Sequence, residues 1–433
     1  MKDTIFALSS GRGKAGVAVV RVSGNNLQKL FNKITNIKSE IKNRYAYLTD
    51  LVDENGGLID KAIAIYFPAP NSFTGEDVIE FHIHGSAAVL QKLFATLTAL
   101  GARMAKPGEF SRRAFDNNKM DLAEADGLSA LLDARTDRQR ILALKSMSGG
   151  DSAKLENWRT QMVEISAYAA AMLDYPSDEL PENIGEKLLA QTQKLHAQIS
   201  NAISRSTAVR AIQGGFNIAI VGPVNAGKSS LFNRLVGSGR AIVSDIPGTT
   251  RDVVSADIDM DGYLVRISDT AGLRETNDEI EKIGIARANA EIQNADLVLN
   301  VQSANSKVQL KDNWINIVNK SDLLDEDCTL HFANCTLVSA LTGDGIDNLL
   351  KLIKEKMHAM LDGAESDIAV NERAKAHLIA AEKELSNAEK QIKNMDLFAE
   401  HVRHSADEIG QILGVIGASE IADSVFGKLC LGK

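Results

Sequence analysis

Cysteine is scarce in this chain, with three in 433 residues. The three are scattered and odd in number, which excludes a disulfide framework and fits a reducing compartment. Cys328 and Cys335 have no second pair at metal-ligand spacing and read as incidental thiols. No apolar run approaches the length of a membrane span. The N-terminal Met1-Lys-Asp-Thr-Ile-Phe-Ala lacks the long apolar core and cleavage site of a leader, so a cytoplasmic protein without a removed leader is expected. An excess of positive charge is also missing. With 48 Lys and Arg against 57 Asp and Glu, the net charge of −9 excludes a basic nucleic-acid coat, and any RNA contact must be a local patch.

What is present is an ordinary globular composition, 44% hydrophobic and 24% charged. The length calls for two to four domains. The stretch that organises the rest is Gly222-Pro-Val-Asn-Ala-Gly-Lys228-Ser229, which reads G-x-x-x-x-G-K-S. An apolar strand-like run, Phe216 to Val221, precedes it, and Ser230 to Val236 follows with helical spacing. That context is the one a phosphate-binding loop requires. Main-chain N–H groups would face the phosphates, Lys228 would bridge the outer phosphates, and the Ser229 hydroxyl would hold Mg²⁺.

Three later motifs narrow the nucleotide. Asp245-Ile-Pro-Gly248-Thr249-Thr250-Arg251-Asp252 offers hydroxyls that can close over the γ-phosphate and Mg²⁺. Asp269-Thr270-Ala271-Gly272 follows a strand; Asp269 suits an outer-shell Mg²⁺ carboxylate and the Gly272 N–H suits γ-phosphate sensing. Asn319-Lys320-Ser321-Asp322 closes another strand. A carboxylate at Asp322 accepts two hydrogen bonds from the ring N–H and amine of guanine, a pair adenine cannot supply. Ser339 and Ala340 fit a loop against the base. GTP is therefore the expected substrate. Many GTPases place a water-orienting Gln after such an Asp-Thr-Ala-Gly. Here Leu273 stands there, so another residue or a partner must act, with Arg274, Glu275, Asp278, Glu279 and Glu281 as candidates.

Upstream, residues 1 to about 118 mix strand runs (Gly16 to Val22, Ala62 to Phe67) with helix runs (Asn25 to Phe31, Ser86 to Phe94), which predicts a compact α+β domain. On a strand, Glu80, His82 and His84 would share one face. His-x-His without further ligands reads as a polar strand face lining a pocket rather than a metal site. From Lys119 to about Ser206 the pattern turns helical, with Pro176 and Pro181 as breaks. Helical spacing resumes at Glu372. A helical region interrupted by an α/β domain predicts an insertion.

These motifs together resemble the tRNA-modifying GTPase family MnmE, also called TrmE, along nearly the whole chain. The resemblance rests on Asp3-Thr-Ile, Gly11-Arg-Gly13 with Gly16-Val17, Pro70-Asn-Ser-Phe-Thr-Gly-Glu-Asp77 and Pro107-Gly-Glu-Phe-Ser111. It rests equally on Asn225-Ala226-Gly227-Lys228-Ser229-Ser230, Ile246-Pro247-Gly248-Thr249-Thr250-Arg251-Asp252, Asp269 to Glu275 and Cys430-Leu-Gly-Lys433. It implies a multidomain α/β and α protein. An N-terminal α+β tetrahydrofolate-binding and dimerisation domain would cover 1–118. A helical bundle would be built from 119–209 and 366–433, with a Ras-like P-loop GTPase domain inserted over 210–365.

The resemblance also implies roles. Asn225 matches a K⁺-binding asparagine, and the loop Ser244-Asp245-Ile246-Pro247-Gly248-Thr249 matches the one whose oxygens, from Ser244, Ile246 and Thr249, complete the K⁺ site. Ser229 and Thr250 match Mg²⁺ ligands, and Glu281 matches the glutamate that orients water when two GTPase domains meet. Arg21, Glu80, Lys119 and Lys433 match positions binding 5-formyltetrahydrofolate or a related one-carbon folate. Cys430 matches a cysteine implicated in the modification chemistry. The implied partners are a second copy, a flavin-binding MnmG-type protein forming a heterotetramer, and tRNA, with modification at position 5 of the wobble uridine. The chain departs from the family at Pro223-Val224, Ser244 and Leu431, and the stretch Val301 to Val318 is short, so the helix expected there is abbreviated. Two readings compete with it. A ribosome-assembly GTPase with RNA-binding scaffolds would need neither Cys430-Leu-Gly-Lys433 nor a folate-binding domain, and a membrane transporter GTPase is opposed by the missing spans.

Overall fold

The computed structural model describes residues 3–37, 40–174, 183–238, 240–242, 254–269, 290–304, 309–324, 334–415 and 432. The chain divides into two compact units. One holds Met1–Ser129, Met147–Pro181 and Gln391–Lys433; the other holds Ala130–Ser146 and Glu182–Lys390.

The first unit is built on a six-stranded sheet. Its strands are β1 (Ile5–Leu8), β2 (Ala15–Gly24), β3 (Tyr47–Val52), β4 (Leu58–Phe67), β5 (Asp77–Gly85) and β6 (Arg103–Met104), in the order β3-β4-β5-β2-β1-β6. All neighbours are antiparallel except β1 and β6. The β3–β4 hairpin closes at Asp53, whose Oδ1 accepts from the N–H groups of Asn55 and Gly57, an Asx turn. On β5 the alternation sends Ile79, Phe81 and Ile83 into the core and leaves Glu80, His82 and His84 on the other face. The core face carries the helices Gln28–Thr35 and Ala87–Ala99 through Phe31, Ile34, Leu93 and Leu97. Gly85 pairs with Ala15, whose carbonyl oxygen would lie 2.7 Å from an added Cβ. In the same unit the helices Gly150–Asp174 and Met395–Leu413 pack together, with Ser166 Oγ donating to the Ala399 carbonyl at 3.0 Å.

The second unit holds seven strands: β7 (Phe216–Val221), β8 (Arg240–Ala241), β9 (Val254–Met260), β10 (Tyr263–Asp269), β11 (Leu297–Ser303), β12 (Ile315–Asn319) and β13 (Thr336–Leu337). Their order is β13-β12-β11-β7-β10-β9-β8, parallel from β13 to β10 and antiparallel beyond. β7 is apolar at every position but Asn217, as a parallel strand covered on both faces is, whereas the equally buried β11 carries Asn300 and Gln302. β7 lies between β10 and β11, so the strand order reverses at it, and ligands of such sheets bind beyond the carboxyl ends at that point. The helices Lys228–Ser238 and Ile346–Leu361 close the core over Leu231, Leu235, Leu349 and Ile353. The helices Ile184–Gly214 and Glu372–Lys390 pair in this unit. No helix among the described residues is long and apolar enough to cross a membrane.

Candidate functional site

β7 delivers the chain into the turn 222–227, and the helix Lys228–Ser238 starts directly after it. Two glycines shape the turn. A Cβ on Gly222 (φ +147°) would fall 1.9 Å from the Val301 carbonyl oxygen, and one on Gly227 (φ +86°) would fall 2.2 Å from Asn319 Nδ2. Neither position tolerates a side chain. Asn225 sits in the left-handed region at φ +62°, a conformation asparagine adopts more readily than most residues. Lys228 is only 8% exposed, and its Nζ donates to the carbonyls of Gly222 and Pro223, both at 2.8 Å. Burial pushes this ammonium below its usual range, and the charge of Asp269 pulls it partly back. A cation curled over a loop at a helix N-terminus is an anion site.

Asp269, at the carboxyl end of β10, is 2% exposed and accepts from Ser229 Oγ at 2.7 Å. A hydroxyl and a carboxylate facing each other are the hard oxygen donors that Mg²⁺ takes, so this pair fits the metal assigned to it. Asn319 ends β12 and is 2% exposed. Its Nδ2 donates to the carbonyls of Ala226 (3.0 Å) and Gly227 (3.3 Å), while its Oδ1 accepts from the N–H groups of Lys320 (2.8 Å) and Ala340 (3.0 Å). One carboxamide thus ties the turn 222–227 to Lys320 and to Ala340, the two stretches expected to meet the base. Lys320 turns the chain at φ +63°, and Asp322 follows in a short 3₁₀ turn. Asp322 Oδ1 accepts from the buried Ser339 hydroxyl at 2.6 Å, which fixes the carboxylate. The structure therefore brings together Ala226, Gly227, Lys228, Ser229, Asp269, Asn319, Asp322, Ser339 and Ala340.

The remaining positions divide differently. Ser244, Asp245, Ile246, Pro247, Gly248, Thr249, Thr250, Thr270, Ala271, Gly272, Glu281, Cys430 and Lys433 lie outside the described residues. In the N-terminal sheet Arg21 and Glu80 are register partners, and the guanidinium donates twice to Glu80 Oε1, at 3.0 and 2.9 Å. The rings of Phe73 (4.9 Å) and Phe110 (5.9 Å) face that guanidinium. These two aromatics stand in the motifs Pro70 to Asp77 and Pro107 to Ser111 but carry no periodic signal, so residue spacing alone does not single them out. Lys119 is exposed and lies beside the turn at Gly75. Arg21, Glu80 and the partly exposed Phe73 offer the polar and aromatic groups that a flat, polar-edged ligand requires. His84 pairs with Asp60 (Nδ1 to Oδ1, 2.8 Å), and among the described residues no group of three or more His, Cys, Asp or Glu could hold a metal.

Gly432 adds a link the sequence does not display. At φ +94° it lies against β1, where an added Cβ would be 2.3 Å from the Leu8 carbonyl oxygen, and its own carbonyl accepts from Ser9 Oγ at 2.9 Å. Leu8 pairs with Val20, the neighbour of Arg21.

Comparison with known proteins agrees along the chain. Residues 4–119 match the family described as the GTP-binding protein TrmE N-terminus, and residues 122–430 match the MnmE helical domain. A tRNA modification GTPase MnmE of Dinoroseobacter shibae is 38% identical over 438 residues, covering 100% of both chains. Its counterpart from Wolbachia sp. subsp. Drosophila simulans is 40% identical over 441 residues, covering 100% of this chain and 99% of the relative. The Brucella anthropi protein of the same name is 38% identical over 446 residues, again covering 100% and 99%. With full-length relatives at this identity and a family match over most of the chain, the chain belongs to the MnmE family of tRNA modification GTPases.

Proposed function

We propose that this chain hydrolyses GTP, with K⁺ as activator, in the modification of position 5 of the wobble uridine of tRNA. The observation that carries the reading is Asn319, whose side chain joins the phosphate loop to the base-recognition residues. Asp322, oriented by Ser339, accepts the paired N–H groups of guanine. Lys228 and the N–H groups of the turn bind the phosphates. Ser229, with Asp269 behind it and Thr250, holds Mg²⁺; Asn225 with Ser244, Ile246 and Thr249 holds K⁺. When bound, the two cations supply fixed positive charge beside the phosphates. Glu281 orients the attacking water.

The same reading gives the rest of the chain its roles. Residues 1–118 bind a one-carbon folate through Arg21, Glu80, Lys119 and Lys433 and join two copies. Residues 119–209 and 366–433 form the helical domain around a GTPase domain at 210–365. The exposed apolar residues Leu48 and Ile63, register partners on β3 and β4, support a homodimer at that edge of the sheet. The seat of Gly432 on β1 supports delivery of Cys430 and Lys433 to the neighbourhood of Arg21. A flavin-binding MnmG-type partner completes the reaction on tRNA in the cytoplasm.

The test is the rate of GTP hydrolysis in KCl and NaCl at equal ionic strength. Stimulation of about tenfold or more in KCl is expected, the equivalent of ~1.4 kcal/mol of transition-state stabilisation. Equal rates would remove Asn225 and the Ser244 to Thr249 loop from catalysis and point to activation by a separate protein.

A further inference from the structure

Parallel neighbours in a sheet are joined by crossovers of a dozen or more residues, usually with a helix that covers the sheet face. Between the parallel strands β11 and β12 only residues 304–314 intervene, and the described ones, 304 and 309–314, contain no helix. The strand face beneath is correspondingly unusual. Leu297, Leu299 and Val301 of β11 enter the large core, while Val298, Asn300 and Gln302 point the other way. Asn300 and Gln302 are 6% and 5% exposed, so two carboxamides are buried where a helix-covered sheet would carry apolar side chains.

Their hydrogen bonds are filled in a regular way. Gln302 Nε2 donates to the Gln309 carbonyl, and the Gln309 N–H donates back to Gln302 Oε1 at 2.7 Å. Asn316 on β12 repeats the arrangement with Lys311, accepting its N–H at 3.1 Å and donating to its carbonyl at 3.0 Å. Asn300 Nδ2 bridges the two, donating to the Gln309 carbonyl (2.9 Å) and to Asn316 Oδ1 (2.8 Å). Three side-chain amides thus bond the crossover's main chain as an extra strand would, and Trp314, at the end of the crossover, packs against the cluster of Ala219, Val221 and Val298.

The network lies directly under the nucleotide site. Val301, between Asn300 and Gln302, presents the carbonyl against which Gly222 of the phosphate loop rests. Gln302 pairs with Val318, Ser303 pairs with Asn319, and the Ala304 N–H donates to the Asn319 carbonyl at 3.0 Å. We propose that Asn300, Gln302 and Asn316 are positioning residues for guanine recognition: by bonding the crossover to β11 and β12 they fix where Asn319 and Asp322 stand relative to the phosphate loop. This inference rests on the reading of Asp322 as the guanine acceptor.

The test compares the full-length wild type with Gln302→Met, which keeps the volume and loses both hydrogen bonds. It also includes Asn316→Ala, at a half-buried site where folding is safer. Steady-state hydrolysis of GTP, ITP and ATP is measured, and thermal unfolding is followed without nucleotide. ITP lacks the exocyclic amine, so the GTP-to-ITP ratio of kcat/KM reports the placement of Asp322. Each variant should raise KM for GTP about tenfold, the loss of one to two hydrogen bonds, with kcat at saturation within about twofold. The GTP-to-ITP ratio should narrow by at least about threefold. A lowered unfolding temperature with KM and the ratio unchanged, in either variant that folds, would make the network a structural substitute for a helix and overturn the inference. A wild type that does not prefer GTP to ATP would instead sink the guanine reading beneath it.

Discussion

The first unit and the phosphate loop each bury a cation, and they treat it in opposite ways. Arg113, 4% exposed, donates to Glu76 at 2.9 Å, to Asp3 at 3.1 Å and to Glu109 at 3.2 Å. Arg103 joins two of these carboxylates, Asp3 and Glu109, and Ser23 donates to Glu76 at 2.9 Å. Burial raises Glu109, but hydrogen bonds from Arg103 leave it below the usual carboxylate range, so it stays charged. Lys228, nearly as buried, is held instead by two carbonyl oxygens. The first cation is compensated within the fold, and removing it strands a buried anion. The second is bonded only to neutral carbonyls, with Asp269 acting on it through charge alone, at the N-terminus of the helix Lys228–Ser238. A closed ion network is architecture; an open one is a binding site.

The largest way to sharpen this contrast is Arg113→Ala. Breaking a buried pair by removing one partner costs about 3–5 kcal/mol. Urea unfolding should show that loss, with GTP affinity of the folded protein unmoved. Lys228→Ala should behave inversely. Losing hydrogen bonds from a charged donor, worth about 1.5–3 kcal/mol, should weaken GTP roughly 10- to 150-fold in a fluorescent-nucleotide titration. Its stability without nucleotide should hold within about 1 kcal/mol, because a desolvated charge has been removed. If Lys228→Ala unfolded as readily as Arg113→Ala, the distinction between the two networks would be erased. Gly227→Ala comes next. The left-handed backbone costs a side chain about 1–2 kcal/mol, and its Cβ would displace the Asn319 amide, so GTP affinity should fall about tenfold with β7 unaffected.

The smallest effect is a pH dependence. His358 lies between Asp362 (3.1 Å) and Asp261 (3.2 Å), and the bond to Asp362, then that to Asp261, raises its pKa above 6.5. A group raised on folding stabilises fully below its unfolded pKa and loses that contribution as pH rises through the folded value. Stability should therefore decline modestly from pH 6.5 upward, by less than about 1 kcal/mol for so exposed a pair. His358→Gln should flatten that slope in melts run across the range.

The same contrast explains what could be read in advance. The phosphate loop, Asp269 and Asn319 to Asp322 are legible because their chemistry is written in contiguous residues between a strand and a helix. Phe216 to Val221 is a strand as its apolar run predicts, and Asp121 to Arg135 yields the helix Leu122–Asp133. Arg113 and Asp3 are 110 residues apart, and nothing local announces that they meet. The amides Asn300 and Gln302 even argue against burial by composition. Only a crossover folded back on the sheet satisfies them, and that is a tertiary fact. The brevity of Val301 to Val318 was the one visible sign.

Gly432 has a consequence in time. Its seat on Leu8 and Ser9 lies 423 residues upstream. At about 5–20 residues per second, roughly 20–85 s of synthesis separate the two. The N-terminal sheet can fold on the ribosome well before the segment that reaches back to it has been made. Whatever the seated tail at Gly432 contributes to this sheet is thereby withheld from every nascent chain.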